Sequence, residues 1–184
     1  MARTVRVAII GVGNCANALV QGVEYYKNAQ DSDHVPGLMH VNLGGLHIRD
    51  VHFSAAFDIN ATKVGKDLGE AIFAEPNCAV KFCNVPKLGI PVHRGKTLDG
   101  IGKYVAPVLQ EATGEAVDVA SILRETKTDV VINYLPVGSE KATEWYVEQI
   151  LEAGCALVNA IPVFIAREPH WQQRFQDKGL PCLA

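Results

Sequence analysis

The chain has 184 residues and a formal net charge of −3, with 48% hydrophobic and 20% charged residues, the balance of a single globular domain that can bury its own core. No long basic run is present, which argues against a nucleic-acid partner, and no apolar stretch reaches the roughly 18 residues a membrane helix needs. Five cysteines, at 15, 78, 83, 155 and 182, are odd in number and lack CxxC spacing. Free thiols in a reducing cytoplasm are therefore expected. Neither the cysteines nor the six histidines follow a metal-binding pattern, so no metal site is expected. "MART" leads straight into a strand-like run with no secretory signal before it, which points to a cytoplasmic location.

Strand-like and helix-like segments alternate along the chain. Val5 to Ile10 is an almost continuous apolar run, as in a strand covered on both faces. Residues 14–27 read as a helix, and a polar, glycine-bearing insertion at about 29–50 follows. "VHFSAAF" (51–57) reads as a strand, and "NATKVGKDLGEAIF" (60–73) as a helix with Asn60 as its N-cap. "GIPVHRG" holds a short strand, and "LDGIGKYVAPVLQEA" a helix weakened by Gly100, Gly102 and Pro107. "VDVASILRET" reads as a helix capped by Asp118. "DVVINYL" (129–135) is a strand, and 139–154 a helix that Ser139 starts and Gly154 stops. "CALVNAI" (155–161) is a strand, "EPHWQQRFQDKG" (168–179) a helix with proline at its start, and "LPCLA" the beginning of a further strand. This order implies βαβ units. The expected fold class is α/β, a Rossmann-like doubly wound parallel sheet, incomplete within this chain.

The chemistry starts at "VAIIGVGNCANAL" (7–19). Gly11, Gly13 and Ala16 form G-x-G-x-x-A between a strand and a helix. Gly11 suits the tight turn, Gly13 lets the backbone approach a pyrophosphate, and Ala16 allows close helix–strand packing. The helix start offers free N–H groups and a positive dipole end to phosphate. Asp58, at the end of the second strand, is the acid expected at the adenosine ribose hydroxyls, delayed by the insertion. A carboxylate there repels a 2′-phosphate, which favours NAD over NADP. The plain alternative is a loop carboxylate. Leu135 and Pro136 in "LPVGSE", and Asn159 and Ala160 in "NAIP", stand at two further strand ends that should face the same crevice. The basic excess between Lys81 and Lys103 is either a solvated loop or a phosphate-facing one. "GIPVHRGKT" has five residues between its glycines where a Walker A loop has four.

The stretches "VAIIGVGNCA", "QGVEYY", "VPGLMHV", "RGKTLDGIGKY", "YLPVGSE" and "VNAIPVFIA" occur in order over almost the whole chain, and together they resemble the myo-inositol-phosphate synthases, in particular the actinobacterial branch. The resemblance implies an NAD-dependent isomerase of inositol biosynthesis. NAD takes a hydride from C5 of glucose 6-phosphate, enolisation and an aldol closure between C6 and C1 follow, and the hydride returns. It assigns the phosphate loop to Gly11, Gly13, Asn14 and Cys15, and implies further NAD contacts at Asp67, Thr126 and Tyr146. In the family, a strand like "LPCLA" runs into a "GDDxKSQ" stretch. The catalytic lysines and most of the contacts of a homo-oligomer lie there and beyond. The expectation for 1–184 is thus an NAD-binding domain without the catalytic and oligomerisation part, with no catalytic residue of its own and with sheet surface left uncovered. Lys96 and Lys103 are poor substitutes for a phosphate clamp and oxyanion cations. The alternatives are a stand-alone NAD-binding module, acting as sensor or partner without catalysis, and a small oxidoreductase of another type. The latter needs an acid/base beside the nicotinamide, and the sequence points to none.

Overall fold

A computed structural model describes residues 4–103 and 106–183. In chain order its elements are β1 (Val5–Ile10), α1 (Asn14–Tyr26), β2 (Asn42–Leu43), β3 (Leu46–His47), β4 (Val51–Asp58), α2 (Leu68–Ala71), β5 (Val92–Arg94), α3 (Val119–Glu125), β6 (Val130–Asn133), α4 (Glu140–Ala153), β7 (Ala156–Asn159), α5 (Pro169–Asp177) and β8 (Cys182–Leu183). Six strands form one sheet in the order β5-β4-β1-β6-β7-β8, with every neighbouring pair parallel. The chain winds outward from β1 to β5, returns through α3, and winds outward again from β6 to β8. This is the doubly wound order, and it places a crevice at the carboxyl ends of β1 and β6. The sheet is open: β8 is an edge strand of two residues beside β7.

The continuous apolar run of β1 is explained by its two covered faces. Ala8 and Ile10 join a core with Phe57, Leu123, Val131, Val147, Ile150, Leu157, Trp171 and Phe175, which draws on α3, α4 and α5. Ile9 joins the opposite core with Val12, Ala16, Val20, Ala56, Leu68 and Ile72, which draws on α1 and α2. On β6 and β7 the burial alternates. Val131 and Leu157 are buried, whereas Val130, Ile132, Ala156 and Val158 are only half-buried. One face of this half of the sheet is therefore less covered than the other.

Most local expectations are met. Asp58 ends β4, the Asp118 carboxylate caps α3 by accepting from Ser121 N at 2.9 Å, and Gly154 closes α4 in the left-handed region with φ 78°. Ser139 does start α4, but without a side-chain cap: its Oγ donates back to Pro136 O at 2.7 Å. The insertion folds into the β2–β3 hairpin and a short 3₁₀ turn, Ile48–Asp50.

Two helices are corrected. Instead of a helix over 60–73 there is a turn through 61–65, Gly65 at φ 84°, and then the four-residue α2 capped by Asp67. A left-handed glycine and an extended Asp67 interrupt what periodicity reads as one helix. The helix expected over 98–112 is absent among the described residues, which form turns and extended chain; its Tyr104 and Val105 lie outside them.

Candidate functional site

A cavity of about 460 Å³ opens at the carboxyl ends of the strands, within the size range of small-molecule sites. The loop after β1, the end of β4, the loops after β6 and β7, and the segment 96–101 surround it. Of the residues singled out from sequence, Gly11, Gly13, Asn14, Cys15, Asp58, Leu135, Pro136, Tyr146 and Ala160 line it.

The β1–α1 turn is shaped by its two glycines in different ways. Gly11 has φ 85°, and a Cβ there would sit 2.7 Å from the carbonyl oxygen of Tyr134. Left-handed backbone and a close strand neighbour both require glycine. Gly13, the N-cap of α1, has ordinary negative φ, and a Cβ there would meet nothing within 4 Å. The space above it is open. The first N–H groups of any α-helix have no intrahelical acceptor. At α1 no side chain caps them and no acid stands in the first turn. Open space, free donors and the positive end of the helix dipole together fit a pyrophosphate. Ala16 is fully buried beneath the turn.

Asp58 braces this turn from the neighbouring strand. One carboxylate oxygen accepts from Val12 N at 2.7 Å, and the other from Ile59 N and Asn60 N, each at 2.8 Å. The carboxylate holds the loop, as the plain reading has it, and it also lines the cavity. Asn14 has a tying role as well: its Oδ1 accepts from Cys78 N and Ala79 N, each at 2.9 Å.

Tyr146, from α4, is 3% exposed. A Cβ on Gly95 would fall 2.0 Å from its hydroxyl, so the strand-end glycine makes room for the phenol. Burial, then the nearby Asp58 charge, pushes its ionisation well up, against a smaller pull from Arg94. The phenol is neutral at any ordinary pH. The start of α4 contrasts with that of α1. The Asp99 carboxylate accepts from Lys141 N at 2.8 Å and Ala142 N at 2.9 Å, and thus takes the anion position at that helix start.

Three residues expected at the cofactor do not line the cavity, and the structure gives each another task. Asp67 caps α2 through Gly69 N at 2.9 Å and accepts from Leu88, Gly89 and Ile90 N, fastening the 88–90 loop. Thr126 caps the end of α3, donates to Ile122 O at 2.7 Å, and stands before β6, at the amino ends of the strands and so at the opposite end of the sheet from the cavity. Asn159 is buried. Its Oδ1 accepts from Asn133 Nδ2 at 2.9 Å, while its Nδ2 donates to Ile161 O and Val163 O. It sets the shape of the loop whose next residues, Ala160 to Pro162, do face the cavity.

Sequence reasoning missed Lys63, Asn77 and Tyr134, which also line the cavity, and in segment 96–101 it weighed Lys96 alone, within a stretch left open as a solvated or a phosphate-facing loop. Lys63 lies within the helix expected over 60–73. Only the turn that replaces that helix brings it inside. Among the described residues no cluster of His, Cys, Asp or Glu suits a metal ion, and no helix is long and apolar enough to cross a membrane.

No family model matches the chain. The inositol-3-phosphate synthase of Mycolicibacterium smegmatis is 54% identical to it over 179 residues, 97% of this chain and 49% of that protein. The inositol-3-phosphate synthase of Corynebacterium glutamicum is 54% identical over 180 residues, 98% of this chain and 50% of that protein. Among solved structures, Ari2 superposes with a TM-score of 0.81 at 32% identity, over 98% of this chain and 53% of that one. A myo-inositol-1-phosphate synthase-related protein from Thermotoga maritima superposes with a TM-score of 0.69 at 19% identity, over 98% of this chain and 54% of that one, a likeness of fold. The chain spans about half the length of the curated relatives it matches. Over nearly all of its own length, it is a relative of the actinobacterial inositol-3-phosphate synthases.

Proposed function

We propose that this chain is the NAD-holding portion of an inositol-phosphate synthase, which converts glucose 6-phosphate to 1D-myo-inositol 3-phosphate by internal oxidation, aldol cyclisation and reduction. The observation that carries the reading is the start of α1, uncapped and with open space above Gly13. It stands in the crevice of a doubly wound sheet, where such folds take dinucleotides. In this reading the α1 N–H groups and Gly13 receive the pyrophosphate. Asp58 receives the adenosine ribose, and its charge disfavours a 2′-phosphate. Leu135, Pro136 and Ala160 border the other half of the cofactor, and Tyr146 forms part of its floor. NAD, when bound, supplies the acceptance and return of the hydride.

The chemistry on the sugar also needs a phosphate clamp and cations aimed at developing oxyanions. Among the described residues, the cations lining the cavity are Lys63 and Lys96, and Lys96 lies over the Trp145 ring at 5.5 Å. We therefore assign no catalytic residue here and place the sugar chemistry, and the contacts of a homo-oligomer, in the remainder of the family's length.

Calorimetric titration of the 184-residue chain with NAD tests the first part. Saturable one-to-one binding is expected, and absence of binding up to millimolar NAD overturns it. Incubation with glucose 6-phosphate and NAD tests the second part: no inositol phosphate is expected, and turnover by this chain alone overturns it.

A further inference from the structure

Lys63 is buried, 4% exposed, inside the wall of the cavity. Its Nζ donates to Asn77 Oδ1 at 2.9 Å, and Asn77 is fixed in turn by donating to Val12 O at 3.1 Å and Ile72 O at 2.9 Å. The ammonium has three donors. Among the described residues, the amide oxygen of Asn77 is its one hydrogen-bond acceptor, and no carboxylate lies within salt-bridge distance. Asp58 is near enough to favour its charge, but burial prevails and draws its ionisation down. A buried cation served by one neutral acceptor is costly unless another group completes its shell.

Its place says which group. Lys63 follows Asp58 by five residues, on the turn that Asp58 itself braces through Ile59 N and Asn60 N. Asn77 ties it to Val12, inside the phosphate turn. In a doubly wound sheet this corner, between the first turn and the end of the second strand, receives the adenosine ribose. The ribose carries hydroxyl oxygens in NAD, and in NADP a 2′-phosphate replaces one of them. A fixed ammonium can donate to either, whereas the Asp58 carboxylate accepts from the hydroxyl and repels the phosphate.

We propose that Lys63 is a cofactor-binding and specificity-determining residue, whose ammonium, fixed by Asn77, donates to the adenosine ribose oxygens and sets with Asp58 how strongly a 2′-phosphate is refused. The proposal rests on the dinucleotide reading above. It gives the corner an ammonium as well as an acid, not in salt-bridge contact with each other, so refusal of NADP is weaker than Asp58 alone would give.

The test is calorimetric titration of wild type, Lys63→Met and Lys63→Arg with NAD and with NADP, alongside thermal melts. Methionine is one atom shorter, removes the charge and leaves Asn77 Oδ1 without its donor, so the melts establish that the variant is folded before its affinities are compared. For Lys63→Met, NAD affinity is expected to fall about 10-fold and NADP affinity at least 10-fold further. Lys63→Arg is expected to keep both within about threefold. Equal losses for the two cofactors, or affinities unchanged from wild type, overturn the proposal, the first showing a structural tie and the second no role. If Lys63→Met fails to fold, the arginine variant decides: with the charge kept, a folded Lys63→Arg whose affinity for either cofactor falls by more than about threefold overturns the proposal as well. Failure of wild type to bind either cofactor overturns the dinucleotide reading and this proposal with it. Binding of NAD by wild type with an indifferent Lys63 overturns this proposal alone.

Discussion

The starts of α1 and α4 lie on the same cavity and are built in opposite ways. Both helices begin at the carboxyl end of a central strand, where the dipole and the free N–H groups attract negative charge. At α4 the chain supplies that charge itself, as Asp99 reaches from a distant segment to Lys141 N and Ala142 N. Gly100 seats this segment so tightly that a Cβ would fall 1.9 Å from Ser139 Oγ. At α1 no described side chain caps the helix: the N-cap is glycine, the first turn has no acid, the space above is open, and the Asp58 carboxylate stops at Val12 N, one residue ahead of the cap. A protein optimised only for stability would cap both, since a good cap is worth about 1 kcal/mol. The difference is that α4 is closed by the fold and α1 stands open, as the proposed cofactor site requires.

Substitutions at the two glycines of the α1 turn give the largest test of that contrast. Gly11→Ala places a side chain in the left-handed region, which costs about 1–2 kcal/mol, and forces it to 2.7 Å from Tyr134 O. A total loss of about 3 kcal/mol is expected, read as a clear fall in the urea midpoint. Gly13→Val faces no such clash, because nothing lies within 4 Å of its Cβ. The melting temperature should fall by only a few degrees, while NAD affinity falls about 100-fold, near 2.7 kcal/mol. If Gly13→Val binds NAD as wild type does, α1 is not the phosphate site.

This contrast was only half legible in the sequence. The β1–α1 turn, Gly11, Gly13 and the acid at Asp58 are written locally: an apolar run, a glycine pattern and the end of the next strand. The middle of the chain is written at long range. Asp67 takes its shape from the N–H groups of 88–90, Asp99 from α4, and Arg94 from Glu111 at 2.7 Å. None of these ties has a periodicity, so the pattern suggests full helices over 60–73 and 98–112 where the structure has the four-residue α2 and, among the described residues of the second stretch, no helix. Lys63 was hidden for the same reason. The family pattern named Asp67, Thr126 and Tyr146 together, and the structure separates them: Tyr146 faces the cavity, while the other two hold loops and a helix end.

Asp67 offers the next largest effect and isolates support from binding. Its carboxylate satisfies four backbone donors with two oxygens. Asp67→Asn keeps one acceptor oxygen and replaces the other with an amide donor facing N–H groups. A destabilisation of about 1–3 kcal/mol is expected from donors left unpaired. NAD affinity, measured at a temperature where the variant is folded, should stay within about threefold of wild type. A loss near 100-fold in a fully folded variant would return Asp67 to the cofactor site and leave the cavity drawn too narrowly.

The smallest effect separates the two helix starts by pH. Burial works against the Asp99 charge, but the N–H bonds from Ala142 and Lys141 outweigh it and hold the carboxyl below its ordinary value. A group whose folded ionisation is depressed stabilises above its unfolded pKa and loses that contribution as pH falls through the folded one. The cap should therefore be fully present at pH 7 and disappear below about pH 4. Asp99→Ala should lose about 0.5–2 kcal/mol at pH 7, and the gap to wild type should narrow as pH falls below about 4. Because Asp99 reaches α4 from 42 residues away, the same variant should also release segment 96–101, read as faster amide exchange there. A gap that stays constant from pH 7 to pH 3 would mean that the carboxylate charge is idle at α4. The closed helix start would then owe its closure to the packing of Gly100 on Ser139, and only the open one would be electrostatic in origin.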